Sequence, residues 1–185
     1  TNGKITFDQQ DVTRWQYRKL LQSGMAYLPA GRLEEGLISG LSLMEHIALS
    51  NPMSGFLVDW NHYAHETDAR IQRYQVVGQG SSNVETLSGG NQQRALFAML
   101  RENLKLLLME HPTRGLDVRS ADWIWKLLYQ RVEAGTTVLF ISADLDELVE
   151  RSDRIVAFSG GSMSLVVQAI ETSADELGHL IGGEQ

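Results

Sequence analysis

From Asn91 onward the apolar positions alternate between two rhythms, a helical spacing and short unbroken runs, and this predicts helix, strand, helix, strand. Ala95, Leu96, Met99 and Leu100 line one face of a first helix. "KLLLM" (Lys105–Met109) is a short apolar run of the kind buried on both faces of a sheet. Ala121, Ile124, Trp125, Leu128 and Val132 form the stripe of a second helix, closed by Gly135. "TVLFIS" (Thr137–Ser142) predicts another buried strand and "DLDELVE" a short helix. "RIVAF" (Arg154–Phe158) and "LVVQA" (Leu165–Ala169) predict strands on either side of Gly160-Gly161, and Ser173 with Glu176 caps a last helix. Earlier in the chain, "KITF" (Lys4–Phe7) alternates as a strand. "TRWQYRKLLQSG" reads as a helix from an N-cap at Thr13 to a stop at Gly24, and "MAYL" (Met25–Leu28) as a buried strand ended by Pro29. A glycine-rich loop covers 31–40, and Ser42 with Glu45 forms a capping box before "SLMEHIAL". Residues 51–86 are polar and spotted with aromatics, and predict an inserted, mainly helical lobe with a helix around Tyr63–Val76. Alternating strands and helices imply a parallel sheet joined by right-handed crossovers.

Composition narrows the function more than the fold. A chain of 185 residues is long enough for one domain with its own core. Sixteen Lys+Arg against 23 Asp+Glu give −7, which argues against a nucleic-acid surface and against a patch for anionic lipid. With no cysteine, disulfide staples and thiolate chemistry are excluded, as fits a cytosolic protein. No run of about 18 apolar residues is present to span a bilayer. His62 and His65 stand at i,i+3 without a third ligand, so with His46 they read as surface or lobe-packing histidines. The four tryptophans read as packing residues. "TNGKITFDQQ" is unlike a signal peptide and starts as if in mid-domain, so a truncated chain is expected.

Chemistry concentrates in two stretches. "ETLSGGNQQR" (Glu85–Arg94) is a glycine turn opening a helix. Gly89 and Gly90 let an anion approach the backbone, the helix start offers free N–H groups, and Ser88, Asn91, Gln92 and Gln93 add donors. Taken alone, "SGG" reads first as an ordinary helix start. "LLLMEHPTRGLD" (Leu106–Asp117) is an apolar strand ending in Glu110 and His111, then a proline turn and Asp117.

"LSGGNQQR" as a whole resembles the signature motif of the ATP-binding cassette (ABC) ATPases, and its Asn-Gln-Gln form is similar to the sugar and nucleoside importer branch. The rest of the chain falls into register with that resemblance. "LKLLLMEHPTRGLD" lies where the family has its Walker B strand, catalytic acid and D-loop. "VLFISADLDELVERSDRIV" resembles the switch region, "SGMAYLPAGRLEEGL" the segment around the Q-loop, and "GKITFDQQDVT" the last strand of the antiparallel lobe. "SADELGHLIGG" is similar to the usual C-terminal end. The resemblance implies an α/β fold: a P-loop NTPase-like ABC ATPase domain lacking its Walker A part, with a mainly parallel sheet and an inserted helical lobe. Its expected parts are 1–30 (end of the antiparallel lobe and Q-loop strand), 31–90 (helical subdomain) and 91–185 (α/β core). No G-x-x-x-x-G-K-[ST] occurs, which fits a piece of a longer chain.

The resemblance also assigns a site. Ser88, Gly89, Gly90, Asn91, Gln92 and Gln93 would meet ATP held by a second ABC ATPase domain, with Asp117 in the D-loop. Glu110 stands at the Walker B aspartate, a weak, water-mediated ligand for Mg²⁺. His111 stands at the catalytic glutamate; an imidazole accepts a proton but brings no negative charge. Ala143 replaces the switch histidine and Ala30 the Q-loop side chain, while Arg32 remains. The substitutions thus fall on the Mg²⁺ and water side. They imply the C-terminal half of a tandem importer ATPase, degenerate at its own site and donating its signature in trans. Implied partners are the second ATPase domain, in the same polypeptide or as a homodimer, and membrane permease subunits, but no nucleic acid. The implied location is cytoplasmic, peripheral on the inner face of the membrane. The alternatives are a non-hydrolysing nucleotide-binding or scaffold module and a soluble ABC ATPase outside transport. "GLISGLSLMEHIAL" fits either core helix or a docking face for a membrane subunit.

Overall fold

The computed structural model describes residues 3–51 and 57–182; residues 52–56 of the expected lobe, and Gly183, lie outside this description. Two compact units divide the chain, one running up to Phe140 and the other from Ile141. That division falls at neither of the seams expected near residues 30 and 90. A single core in the first unit draws on Leu28, Leu43, Val76, Phe97, Leu107 and Ile124, from all three expected parts.

The first unit is built on a sheet of β3 (Met25–Leu28), β4 (Leu106–Glu110) and β5 (Thr137–Ile141), in that order. β3 and β4 run parallel, pairing Met25 with Leu106 and Leu28 with Met109. A two-residue hairpin, β1 (Thr6–Phe7) and β2 (Gln10–Asp11), precedes them. The strand expected over Lys4–Phe7 is therefore only half as long. Helix α1 (Tyr17–Gln22) also starts later than expected. Thr13 does not cap it, because the Thr13 hydroxyl accepts from Ile5 N–H and donates to Asp11 Oδ1, closing the hairpin. Gly24, with φ +94°, ends the helix as expected and turns the chain into β3.

Between β3 and β4 lie α2 (Leu43–Ser50), α3 (Trp60–Tyr74) and α4 (Gly89–Met99). A π-type turn at Arg32–Gly36 interrupts the glycine-rich loop. The capping box forms as read: Ser42 Oγ accepts from Glu45 N–H and the Glu45 carboxylate accepts from Ser42 N–H. Ser42→Ala is expected to lower unfolding free energy by about 1 kcal/mol, read as a shift in urea midpoint at constant slope. His46 is structural: its Nε2 accepts from Ile38 N–H and its Nδ1 lies 2.8 Å from Ser42 O. His62 sits 3.5 Å from Glu66, and no group of three potential metal ligands exists among the described residues.

Two burial expectations are corrected. On α5 (Val118–Glu133) the inward position near the C-terminus belongs to Arg131, while Val132 is 47% exposed. The Arg131 guanidinium donates to Arg101 O and to Tyr74 Oη, so hydrogen bonds offset its burial. On β5 only one face is packed: Val138 and Phe140 meet the core, whereas Leu139 and Ile141 are 56% and 61% exposed. Side chains alternate between the two faces of a strand, and on β5, at the edge of the sheet among the described residues, only one face meets the core.

The second unit departs from an all-parallel arrangement. Helix α6 (Leu145–Arg151) is followed by β6 (Arg154–Ile155), which pairs antiparallel with β9 (Val167–Gln168). β7 (Phe158–Ser159) and β8 (Ser162–Met163) form a hairpin. The strand expected over Arg154–Phe158 is thus two short ones with different partners, and β7 and β8 are joined by a two-residue turn in which Gly160 and Gly161 take φ +55° and +79°. Helix α7 (Ala174–Gly182) is the last element among the described residues, with the reciprocal Ser173–Glu176 cap in place.

Candidate functional site

The start of α4 is an open mouth with a braced rim. Ser88 is its N-cap, extended at φ −62° and ψ 156°, yet its side chain makes no cap hydrogen bond to the helix. Ser88 is exposed, and Gly89, Gly90 and Asn91 are half-buried. The leading N–H groups are therefore not covered by the residue that usually covers them. The amide side chains brace this geometry. Asn91 Nδ2 donates to Ser88 Oγ and its Oδ1 accepts from Val77 N–H. Gln92 and Gln93 are 8% and 4% exposed; Gln92 Nε2 donates to Val84 O, and Gln93 Oε1 accepts from Arg32 Nε at 2.7 Å. Of the six signature residues, Ser88 is exposed and Gly89, Gly90 and Asn91 are half-buried, while the two glutamines turn into the protein.

The chain leaves β4 through Glu110 and His111. His111 takes φ +46°, a left-handed conformation that costs a non-glycine residue strain, and its carbonyl accepts from Arg114 N–H. Gly115 follows at φ +70° and Asp117 caps α5, accepting from Ser120 N–H at 3.1 Å and Ser120 Oγ at 2.8 Å. The two helix starts lie close together: a Cβ on Gly90 would stand 3.2 Å from Ser120 Oγ. A side chain at Gly90 would crowd Ser120.

Hydrogen bonds from Ser120 hold the Asp117 carboxyl below its ordinary value of 3.8. A carboxyl depressed in the folded state contributes stability that is present above its unfolded pKa and lost as pH falls through the folded one. Asp117→Asn is therefore expected to lower the melting temperature near neutral pH, and that difference is expected to shrink below pH 3.8. Melting curves from pH 7 to pH 2 check it; a constant difference would contradict the assignment.

Glu110 is already engaged, because Tyr27 Oη donates to its Oε1 at 2.9 Å. That bond, with burial and the Glu110 charge, raises the Tyr27 phenol above its ordinary value. One carboxylate sharing an oxygen with a phenol is too small a donor set to hold Mg²⁺ by itself, since that ion needs oxygen ligands in an octahedral shell. Ala143 lies exposed in the second unit, after β5, and its methyl group neither titrates nor donates. Tyr27 escaped the sequence reading because "MAYL" gave no sign that its hydroxyl reaches the end of β4. The full part of Arg32 escaped too, since one of its acceptors is a main-chain carbonyl.

A groove of 340 Å³ lies beside these elements, lined among others by Tyr17, Leu21, Glu35, Leu49, Leu96 and Met99. "GLISGLSLMEHIAL" divides accordingly: Leu37, Leu43 and Ile47 are core, while Ile38 and Leu49 are exposed.

An α/β sheet carrying a braced, glycine-lined helix mouth beside an acid-ended strand is the frame of an ABC ATPase domain, and solved structures agree. The chain superposes with TM-score 0.73 on an ATP-binding cassette solved as a dimer in a post-hydrolysis state with ADP and Pi, covering 91% of this chain and 74% of that one at 20% identity. It matches CbiO1 of Clostridium perfringens, part of the CbiONQ transporter complex, with TM-score 0.73, 96% and 70% coverage and 20% identity. No family model matches.

Sequence relatives narrow the class. The nucleoside import ATP-binding protein NupA of Lactococcus lactis is 36% identical over 98% of the chain and 37% of its own length. The guanosine import ATP-binding protein NupO of Bacillus subtilis is 33% identical with the same coverages, and the arabinose import ATP-binding protein AraG of Yersinia pestis is 33% identical over 89% of the chain and 32% of its own length. The chain belongs to the ABC transporter ATP-binding proteins, and it spans about a third of the length of these relatives.

Proposed function

We propose that this chain is part of the ATP-binding component of an ABC importer for nucleosides or sugars, and that it offers the mouth of α4 to an ATP gripped by a second ABC ATPase domain. The carrying observation is the N-cap at Ser88: exposed, with no cap bond of its own, its Oγ accepting from Asn91 Nδ2 while Gln93 in the same helix is tied to Arg32. Ser88 Oγ and the amides of Gly89 and Gly90 would meet the phosphates there, where the positive end of the helix dipole favours an anion. ATP supplies the phosphoanhydride whose cleavage drives the importer.

The chain's own acid side supports a degenerate site. Glu110 is shared with Tyr27, His111 stands where a carboxylate would orient water, and Ala143 offers no polar group. We infer a division of labour, with catalysis at the site whose acids belong to the partner, in one polypeptide or as a dimer. We read the groove beside α1, α2 and α4 as a seat for a helix from a membrane permease subunit at the cytoplasmic face of the membrane, a reading that its apolar lining supports over a soluble ABC ATPase. No helix among the described residues is long and apolar enough to cross it.

The test is ATP turnover of the chain assembled with its partner ATPase domain, comparing wild type with Ser88→Arg. Unchanged phosphate release would refute the donated mouth and favour the scaffold alternative.

A further inference from the structure

We propose that Arg32 is a positioning residue that holds the mouth of α4 and the loop leading to Asp117 in one fixed relation. The inference rests on the donated-mouth reading above and names the side chain that makes it geometrically possible. Two segments must meet the same phosphate region: the start of α4, and the turn from His111 to Asp117. They are far apart in sequence, and the sheet ladder does not join them, since β4 ends at Glu110.

Arg32 spans the gap. From the π-type turn at Arg32–Gly36, its Nε donates to Gln93 Oε1 at 2.7 Å, and its Nη2 donates to the carbonyl oxygen of Arg114. Its Nη1 lies 3.4 Å from the place a Cβ on Gly89 would occupy, so the third arm of the fork rests against the mouth itself. A planar guanidinium presents donors at fixed angles, so two of its bonds fix an orientation as well as a distance. Lysine has one rotatable head on a flexible stem and lacks that property.

The surroundings fit a brace rather than a surface ion pair. Among the described residues no carboxylate lies within ion-pair distance of Arg32. Burial lowers its pKa and the Glu34 carboxylate opposes that shift from beyond ion-pair distance, while the direct partners of the guanidinium are neutral oxygens. The partners also account for a feature the signature reading leaves open. Gln93 is 4% exposed and faces inward, where it serves as the acceptor through which Arg32 grips α4.

The experiment uses Arg32→Lys, which keeps the charge and loses the fork, and Gln93→Met, which keeps the bulk and removes the acceptor. In the chain itself, hydrogen exchange is followed at Gln92 and Leu116, whose N–H groups bond to Ser88 O and Thr113 O. Both variants are expected to speed exchange at these amides several-fold while leaving the amides of α7 unchanged. In the assembly with the partner ATPase domain, Arg32→Lys is expected to lower kcat roughly 10- to 100-fold with little change in KM for ATP, the signature of misplacement. Wild-type exchange and turnover in Arg32→Lys would mean that charge alone suffices and would overturn the proposal. Should Arg32→Lys fail to fold, unchanged exchange at Leu116 in Gln93→Met overturns it equally. If the wild-type assembly releases no phosphate, the functional reading fails, while the exchange data still decide what Arg32 does.

Discussion

Ser88→Arg is expected to reduce ATP turnover of the assembled protein by about 10²-fold or more, on the scale of losing one donor to a reacting anion. The expectation follows from where Ser88 sits. It is exposed at the head of α4, and its neighbours Gly89 and Gly90 carry no side chain. A long side chain placed there fills the space a phosphate would take, and its guanidinium would itself compete for the helix end. The fold is expected to tolerate the change within about 0.5 kcal/mol, as an exposed position usually does. Ser88 makes no cap bond to lose, only the contact from Asn91 Nδ2. Turnover and thermal melting measured on the same preparation separate the two effects. Lost activity with an unchanged melt supports a donated mouth; lost activity with a collapsed melt would leave the defect to folding.

Phe97→Ala, nine residues further along the same helix, is expected to do the reverse and act through stability, costing about 3–5 kcal/mol. Phe97 is completely buried, in a core shared with Leu107, Met109, Ile124 and Leu128. Removing its ring forfeits transfer free energy and leaves a cavity lined by side chains from a helix and a strand that are already anchored, so little collapse can fill it. Folded domains are stable by only about 5–15 kcal/mol, so much of the margin goes. Urea unfolding followed by circular dichroism reads the change as a large fall in midpoint; a shift corresponding to less than about 1 kcal/mol would show that the core relaxes around the loss. Phe97→Leu, which retains most of the volume, is expected to cost less.

The candidate site was partly readable in residue order. Ser88-Gly89-Gly90 opens α4 as read, and Asp117 caps α5 beside it. What Gln92 and Gln93 do was not readable. A motif places them beside an anion, but an amide on a helix has a direction as well as a number, and theirs points to Val84 O and to Arg32. Tyr27 and Glu110 are similar: 83 residues apart, they meet because β3 and β4 run parallel in one register.

Turn and cap chemistry is local, acting over three or four residues, and the chain alone therefore specified the Ser42–Glu45 and Ser173–Glu176 caps and the Gly160-Gly161 turn. Apolar periodicity likewise located the helices and the parallel strands. Burial and pairing are non-local. Whether Val132 or Arg131 faces the core depends on Tyr74 and Arg101 arriving beside α5, and whether β5 is covered on both faces depends on its place in the sheet. Such outcomes appear only once distant segments are packed, because hydrogen-bond partners and neighbouring strands are chosen by proximity in space.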